Sequence, residues 1–513
     1  MKRRILLITT CALLISVLLV AFSGCEGILD LLNSGENTDS TNNSDVTEDM
    51  SENNKTDNKL QYNQEPEDLD GFALDVLSVK SGMWNMHTDF APTVVDGSVI
   101  NTAVYRRNET VSKLYNATIV AHEDAEYYHM TEKLAMDQLS GGQAKYDAAY
   151  VEGSSVVSPI SQGQVMNLYD VPEIQLDQEW WSQLIKREAT LGTGKYSTLY
   201  FTQSNLSLTS FDLTWCVYFN KTIQTENQIE DLYALVENDQ WTIEKMKSIA
   251  KQAATLGSDS NFTYEESGTS VYGITTYWNG VKAMLDGCQI QFVTTDTNGD
   301  PAVNISNERF ANLTQDLAEL FAETGTFTYG GESTDGSTKG NASDYLKIFN
   351  AERALFCVAE VKSSVNDFKT FKGQFGILPL PKYDTDQNDY RSWVNYLAPV
   401  LVIPSTLDSD TLHNTAVLLD ALSFYSERDV LPEYYDTVLK GRGTSDSQSI
   451  KMLDLINKTK SFDASIAYGW SRQFSEVLSN ALLNGVTDVS SLAQTYEGMI
   501  TENIKTTLES ILE

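Results

Sequence analysis

The sequence predicts an α/β fold with a doubly wound arrangement, and three observations predict it. Short β-rich runs alternate with amphipathic helical segments from Gly71 onward, and the first three runs are each separated by one such segment. With an atypical N-terminal region set aside, about 440 residues remain, enough for two or three ordinary domains.

Taken in order, Phe72–Val79 (FALDVLSV) reads as a first strand. Residues 100–115 place Ile100, Val104, Val111 and Leu114 near a helical period. ATIVA (Ala117–Ala121) is a second strand, EYYHMTEKLAMDQLSGG a second helix closed by Gly141 and Gly142, and YDAAYV (Tyr146–Val151) a third strand. This order implies right-handed crossovers and a parallel sheet, whose ligands lie beyond the carboxyl ends of the strands.

Further on, TWCVYFNKT (Thr214–Thr222) reads as a strand, and Trp241–Gly257 as a helix with Thr242 near its start and Gly257 past its end. Asn298-Gly299 is the strongest short hairpin signal in the chain. A helix near Asn307–Glu323 and a polar loop near Gly330–Asn341 follow, then a buried strand ALFCVAEV (Ala354–Val361). GQFGILPLPKY (Gly373–Tyr383) reads as a strand running into extended prolines, and APVLVIPS (Ala398–Ser405) as another strand; helices finish the chain.

The N-terminus has a different character. Lys2, Arg3 and Arg4 precede an apolar run from Ile5 to Phe22, and Phe22-Ser23-Gly24 leads into Cys25. A basic region, an apolar run and small residues describe a secretory signal, and the run is also just long enough to cross a membrane. The stretch resembles a bacterial lipobox, with Phe22 in place of the usual Leu; the resemblance implies a signal peptide over 1–24 and lipidation at Cys25. Two or three acyl chains hold a protein to a membrane where one would let go. The expected location is the extracellular face of the bacterial cytoplasmic membrane. Residues 25–70 are rich in Asn, Ser, Thr, Asp and Glu, too polar to bury a core. They read as an acidic tether spanning roughly 35–40 Å as a coil.

Three later stretches resemble family 1 extracellular solute-binding proteins of bacterial ABC importers. YFNKTIQTENQIEDLYALVENDQWTIEKM is similar to that family's strand, acidic helix and Trp-Thr helix start, and FGILPLPKYD and RALF resemble its Pro-Leu-Pro segment and small-residue strand. The resemblance implies two doubly wound lobes joined by hinge crossovers, the type II periplasmic-binding-protein arrangement. It places lobe one over 71–205 with 343–378, and lobe two over 206–342 with 379–513. It also implies a ligand in the interlobe cleft and hinge closure around it. The expected activity is binding alone, as a monomer partnered by permease subunits, of a small solute that is most plausibly a sugar or oligosaccharide. A cell-surface polysaccharide hydrolase or lyase is the alternative.

Composition narrows the classes. The chain has a formal net charge of -35, which excludes a basic nucleic-acid surface. Once Cys11 leaves with the signal and Cys25 takes lipid, Cys216, Cys288 and Cys357 remain, with no CxxC pair to suggest zinc or redox work. No GxSxG elbow, Walker lysine loop or GxGxxG fingerprint occurs, so no cofactor is expected. His122, Glu126 and His129 would share a helix face, but the zinc-protease pattern needs a His where Glu126 stands. A solvated helix start is the favoured reading, and no metal is expected. Neither repeats nor the short alternating strands of a sandwich support an adhesion or scaffolding role.

Aromatic residues are more informative, because sugar rings stack apolar faces on Trp or Tyr while their hydroxyls take polar partners. Candidates stand at strand ends and lobe-joining loops. They are Trp84 and His87 past strand one, Asp124 after strand two, Glu152 after strand three, Trp278 after the YGI run, Trp393 and Tyr396 before the APVLVIPS strand, and Trp470 in AYGWSRQ. Trp393→Ala and Trp278→Ala are each expected to lower affinity with folding intact. Trp180, Trp181 and Trp241 read as packing residues.

Overall fold

Strands whose faces are both covered read as near-continuous apolar runs; in the first sheet this holds for the inner strands Ala73–Val79 and Ala148–Glu152, while the edge strand Thr118–Asp124 is at most half-buried. In the computed structural model, which describes residues 60–512 apart from 89, 141–143, 266, 331–343 and 441–446, β1 (Ala73–Val79), β2 (Thr118–Asp124) and β3 (Ala148–Glu152) are parallel, in the order β3-β1-β2. The helix Val99–Tyr115 between β1 and β2 begins at Ser98, whose hydroxyl accepts the Asn101 N–H at 3.3 Å, and ends at Asn116 with φ 47. Its inner stripe is Ile100, Val104, Arg107, Val111 and Tyr115. Leu114, read as inward from the sequence, is exposed, because three- and four-residue steps carry the stripe from Val111 to Tyr115.

The chain then supplies β4 (Trp215–Asn220), β5 (Tyr272–Tyr277), the hairpin strands β6 (Val293–Thr295) and β7 (Pro301–Val303), β8 (Phe327–Gly330), β9 (Ala354–Glu360) and β10 (Phe375–Leu378). All but the hairpin form a second, mixed sheet in the order β10-β4-β9-β5-β8. β11 (Ser392–Trp393) pairs with β13 (Lys460–Ser461), while β12 (Pro399–Val402) returns to lie antiparallel on β3. The helix Ile243–Ala253 starts at Thr242, whose hydroxyl accepts the Lys245 N–H at 3.2 Å. Trp241 beside it packs on Phe356 and donates to the Pro379 carbonyl at 3.0 Å.

Two boundaries move. Residues 354–360 and 375–378, assigned by resemblance to the first lobe, belong to the second sheet, and β12, assigned to the second lobe, belongs to the first. A run apolar on every residue, such as ALFCVAEV, carries no periodicity that could say which sheet buries it. The tether also ends sooner than residue 70. Tyr62 packs on Phe424 and donates to Asp420 at 3.1 Å, and Leu69 is buried, so Leu60–Glu513 is one compact unit. Cys25 and the signal lie outside the described residues.

Three chain segments join the sheets, near 205–214, 379–398 and after 425, where the helix Ser409–Tyr425 on β1 gives way to Ser447–Lys458 on β10. Buried polar groups fix them. Arg391 lies between Glu188 and Asp286, its Nη2 at 3.0 Å from Glu188 Oε2 and 2.9 Å from Asp286 Oδ1. Arg107, also buried, donates to the Leu206 carbonyl at 3.2 Å and the Ser426 hydroxyl at 2.9 Å. Asp420 accepts both neighbouring indoles, Trp180 at 3.1 Å and Trp181 at 2.7 Å, so these tryptophans are interior packing residues.

Burial pushes the Asp463 carboxyl from its ordinary 3.8 up to about 6, with Asp286 and Glu188 adding repulsion. The folded state therefore binds a proton that the unfolded chain has lost. Its stabilising effect is complete below pH 3.8 and disappears as pH rises through 6. Asp463→Asn is expected to remove about 3 kcal/mol of that pH dependence, read from urea unfolding across this window. Identical slopes for the two proteins would contradict the assignment.

Candidate ligand-binding site

The carboxyl ends of β1, β2 and β3 present one side of the site. After β1 the backbone turns through Gly82, Trp84 and Asn85, all at positive φ (70, 51 and 56°). A bulky aromatic residue in the left-handed region is an outlier that its surroundings must impose. Here it holds the Trp84 ring, 44% exposed, at 5.5 Å from Tyr127 and 5.7 Å from Tyr128. These two tyrosines sit on the short turn Tyr127–His129 after β2. Glu152 ends β3, buried, and accepts from the Ser154 hydroxyl.

The second sheet supplies the facing side. Trp278 follows β5, and Lys282 stands four residues later in the helix Gly280–Gly287. The Lys282 ammonium is 4.7 Å from the Trp278 ring centre and 4.8 Å from that of Tyr396, and pairs with Glu476 at 2.5 Å. Arg472 and Glu476, one turn apart on the helix Arg472–Leu483, close the group: Arg472 lies 5.3 Å from the Tyr396 ring and reaches the Ser154 hydroxyl at 3.4 Å. Glu360, ending β9, pairs with Lys362 at 3.1 Å and accepts from Asn395 at 3.2 Å. Asn366 donates to the Asn85 carbonyl at 2.8 Å, tying the strained turn to the second sheet's side.

Two ion pairs, Lys282–Glu476 and Lys362–Glu360, and the Ser154 hydroxyl shared by Glu152 and Arg472 thus set charges of both signs side by side in a chain that is otherwise strongly acidic. Burial draws the Lys282 ammonium down, and Glu476 offsets part of that. Burial, then Glu476, pushes the Tyr396 hydroxyl up to about 12, so it remains a donor at neutral pH. Ring faces beside fixed donors and acceptors suit a polyhydroxylated ring with apolar C–H faces.

Of the residues singled out from sequence, Trp84, Glu152, Trp278 and Tyr396 come together here. The other four stand elsewhere. His87 bonds Asp212 through its backbone N–H at 2.5 Å and its ring at 3.0 Å, and Asp212 also accepts from Tyr434 at 2.7 Å, so this set serves the first crossover. Asp124 is occupied by Lys133 and by the Glu126 N–H. Trp393 is buried, 6.0 Å from Trp215, and Trp470 is buried and stacked on Tyr468 at 4.9 Å. His122, Glu126 and His129 diverge to Asp75, Lys133 and Glu132, and among the described residues no His, Cys, Asp or Glu group could hold a metal. Cys216, Cys288 and Cys357 are free and buried. Sequence reading missed Tyr127, Tyr128, Lys282, Glu360, Arg472 and Glu476; the one-turn spacings Trp278/Lys282 and Arg472/Glu476 were the available signal.

The fold is the type II arrangement of periplasmic binding proteins. UspC of M. tuberculosis matches with a TM-score of 0.54 at 12% identity, over 84% of this chain and 100% of that one. The galacto-N-biose-/lacto-N-biose I-binding protein of an ABC transporter from Bifidobacterium longum, solved with lacto-N-biose, matches at 0.53 and 13%, over 85% and 98%. The ABC substrate-binding protein Lmo0181 from Listeria monocytogenes, solved with cycloalternan, matches at 0.50 and 12%, over 85% and 100%. At such identity the likeness is one of fold. No protein-family model and no curated protein matches the chain.

Since Trp393 is a core side chain on Trp215, Trp393→Ala is expected to cost about 3–5 kcal/mol of stability, measured by urea denaturation, instead of leaving folding intact. A loss below about 1 kcal/mol would show that the indole is not needed for packing.

Proposed function

We propose that this chain is the substrate-binding component of an ABC importer, and that it captures a small carbohydrate where the carboxyl ends of its two sheets meet. The observation that carries this reading is the shared cluster: Trp84, Tyr128 and Trp278 offer ring faces, and Glu152, Lys282, Tyr396, Arg472 and Glu476 offer directed polar groups, from both sheets at once. A ligand touching both sides binds more tightly when they approach, so it favours the closed form by its differential affinity for it. The ligand leaves unchanged. Balanced local charge suits a neutral solute, and neighbours of the same fold solved with lacto-N-biose and with cycloalternan support the carbohydrate class. In this reading Cys25 carries the lipid that holds the protein at the outer face of the membrane, and permease subunits receive the solute.

A thermal-shift screen over neutral mono- and oligosaccharides, amino acids, peptides and polyamines tests it. At saturating concentration a sugar is expected to raise the melting temperature by several degrees, as mass action on the native state requires. No response from any sugar would reject the carbohydrate reading. With a responding sugar in hand, Trp84→Ala and Trp278→Ala are each expected to weaken binding about tenfold, the worth of one stacked ring, with unfolding midpoints little changed. Unaltered affinity in both would remove them from the site.

A further inference from the structure

Beside the segments that join the two sheets lies a cavity of about 200 Å3, whose walls include Trp180, Trp181, Asn205, Glu427, Asn457 and Lys460. It shares no residue with the carbohydrate cluster. Asn205 comes from the first crossover, Lys460 from β13, and Glu427 from a π-helix over Ser426–Val430, a rare backbone form found most often at functional sites.

Lys460 is buried and Glu427 largely so, yet they do not pair with each other. Asn205 stands between them: its Oδ1 accepts from the Lys460 ammonium at 2.8 Å, and its Nδ2 donates to Glu427 Oε2 at 2.6 Å. Asn457 supports the same carboxylate at 3.4 Å and accepts from Asn205 at 3.1 Å. Among the described residues Asn205 is the only hydrogen-bond acceptor for Lys460, whose ammonium otherwise lies 5.5 Å from the Phe211 ring. Its other N–H groups have no acceptor among the described residues. Burial brings this ammonium down to about 8 and pushes the Glu427 carboxyl up, the strain expected of enclosed charges that lack a partner. Both would be relieved by a molecule carrying a negative and a positive group a few bonds apart. The space holds about seven waters' volume at roughly 30 Å3 each, below the roughly 300 Å3 at which drug-sized pockets begin.

We propose that this cavity is a second ligand site, independent of the carbohydrate site, which binds a small zwitterion of free amino-acid size with its carboxylate on Lys460 and its ammonium on Glu427. Isothermal titration of the whole protein with glycine, serine and proline tests it, with cyclopentanecarboxylate and pyrrolidine as analogues of proline that each keep one charge. At least one of the three amino acids is expected to bind saturably, and each one-charge analogue to bind at least about tenfold more weakly than proline. Lys460→Met and Glu427→Gln are each expected to lose that binding, and Trp278→Ala to retain it. No saturable binding of any amino acid overturns the proposal. So does equal binding of cyclopentanecarboxylate or of glycerol, or retention in both cavity variants. The wild-type series stands even where a variant fails to fold. It also fails or succeeds separately from the carbohydrate reading, because only Trp278→Ala touches that site.

Discussion

A guanidinium that stays charged at any ordinary pH, buried where the two halves of the chain join, is the constraint on which the rest depends. Arg391 draws Glu188, upstream of the first crossover, and Asp286, in the helix after β5, onto a single planar group. Asp286 is also bonded by Ser461. Four segments distant in sequence are thereby held to one another by directional bonds. Such clusters add little stability over an apolar core, but removing one partner leaves the others buried and charged. Their value here is geometric. Arg107 and the His87–Asp212–Tyr434 set repeat the device at the same crossovers, so the joints are defined by directional bonds while the lobes' interiors are packed by apolar side chains.

Because the crossovers are fixed, the carboxyl ends of both sheets face the same place. Side chains that end strands in either half then fall together: Glu152 from β3, Glu360 from β9, Trp278 just past β5. The electrostatics of that place differ from those of the protein around it. A chain with net charge -35 repels anions at long range, whereas in the cluster carboxylates are paired with cations, Glu476 with Lys282 and Glu360 with Lys362. An uncharged polar molecule meets neither barrier. The positive φ of Trp84 belongs to the same design, since a relaxed turn would not hold its ring out against Tyr127 and Tyr128.

The elements were legible in the sequence where local chemistry fixes them. The helix start at Thr242, the helix near Asn307 and the Asn298-Gly299 hairpin all stand where their residues predict. Membership of a sheet was not legible, because a fully buried strand such as β9 has no polar face to orient it, and the return of β12 to β3 pairs residues as far apart as Pro399 and Glu152. In the site, residues at or after strand ends were found in part: Trp84, Glu152 and Trp278 were read from sequence, while Tyr127 and Tyr128 after β2 were not. Trp393 and Trp470 show the limit of that reading: an indole near a strand end can as well face inward, and neighbours such as Trp215 and Tyr468, unknown from spacing, decide which. Lys282 and Glu476 escaped notice since their ion pair joins two helices far apart in sequence, and the one-turn spacings to Trp278 and Arg472 do not by themselves say that the helices meet.

The central claim is that two sheets, joined by three crossovers, embrace a neutral sugar and return it chemically intact. Native mass spectrometry of the protein incubated with a defined mixture of oligosaccharides, followed by mass analysis of what is released on denaturation, tests this most directly. The account predicts a one-to-one adduct whose released ligand has the mass of a sugar that was added. An absent adduct, or a released species shortened, hydrated or dehydrated relative to every sugar supplied, would contradict it.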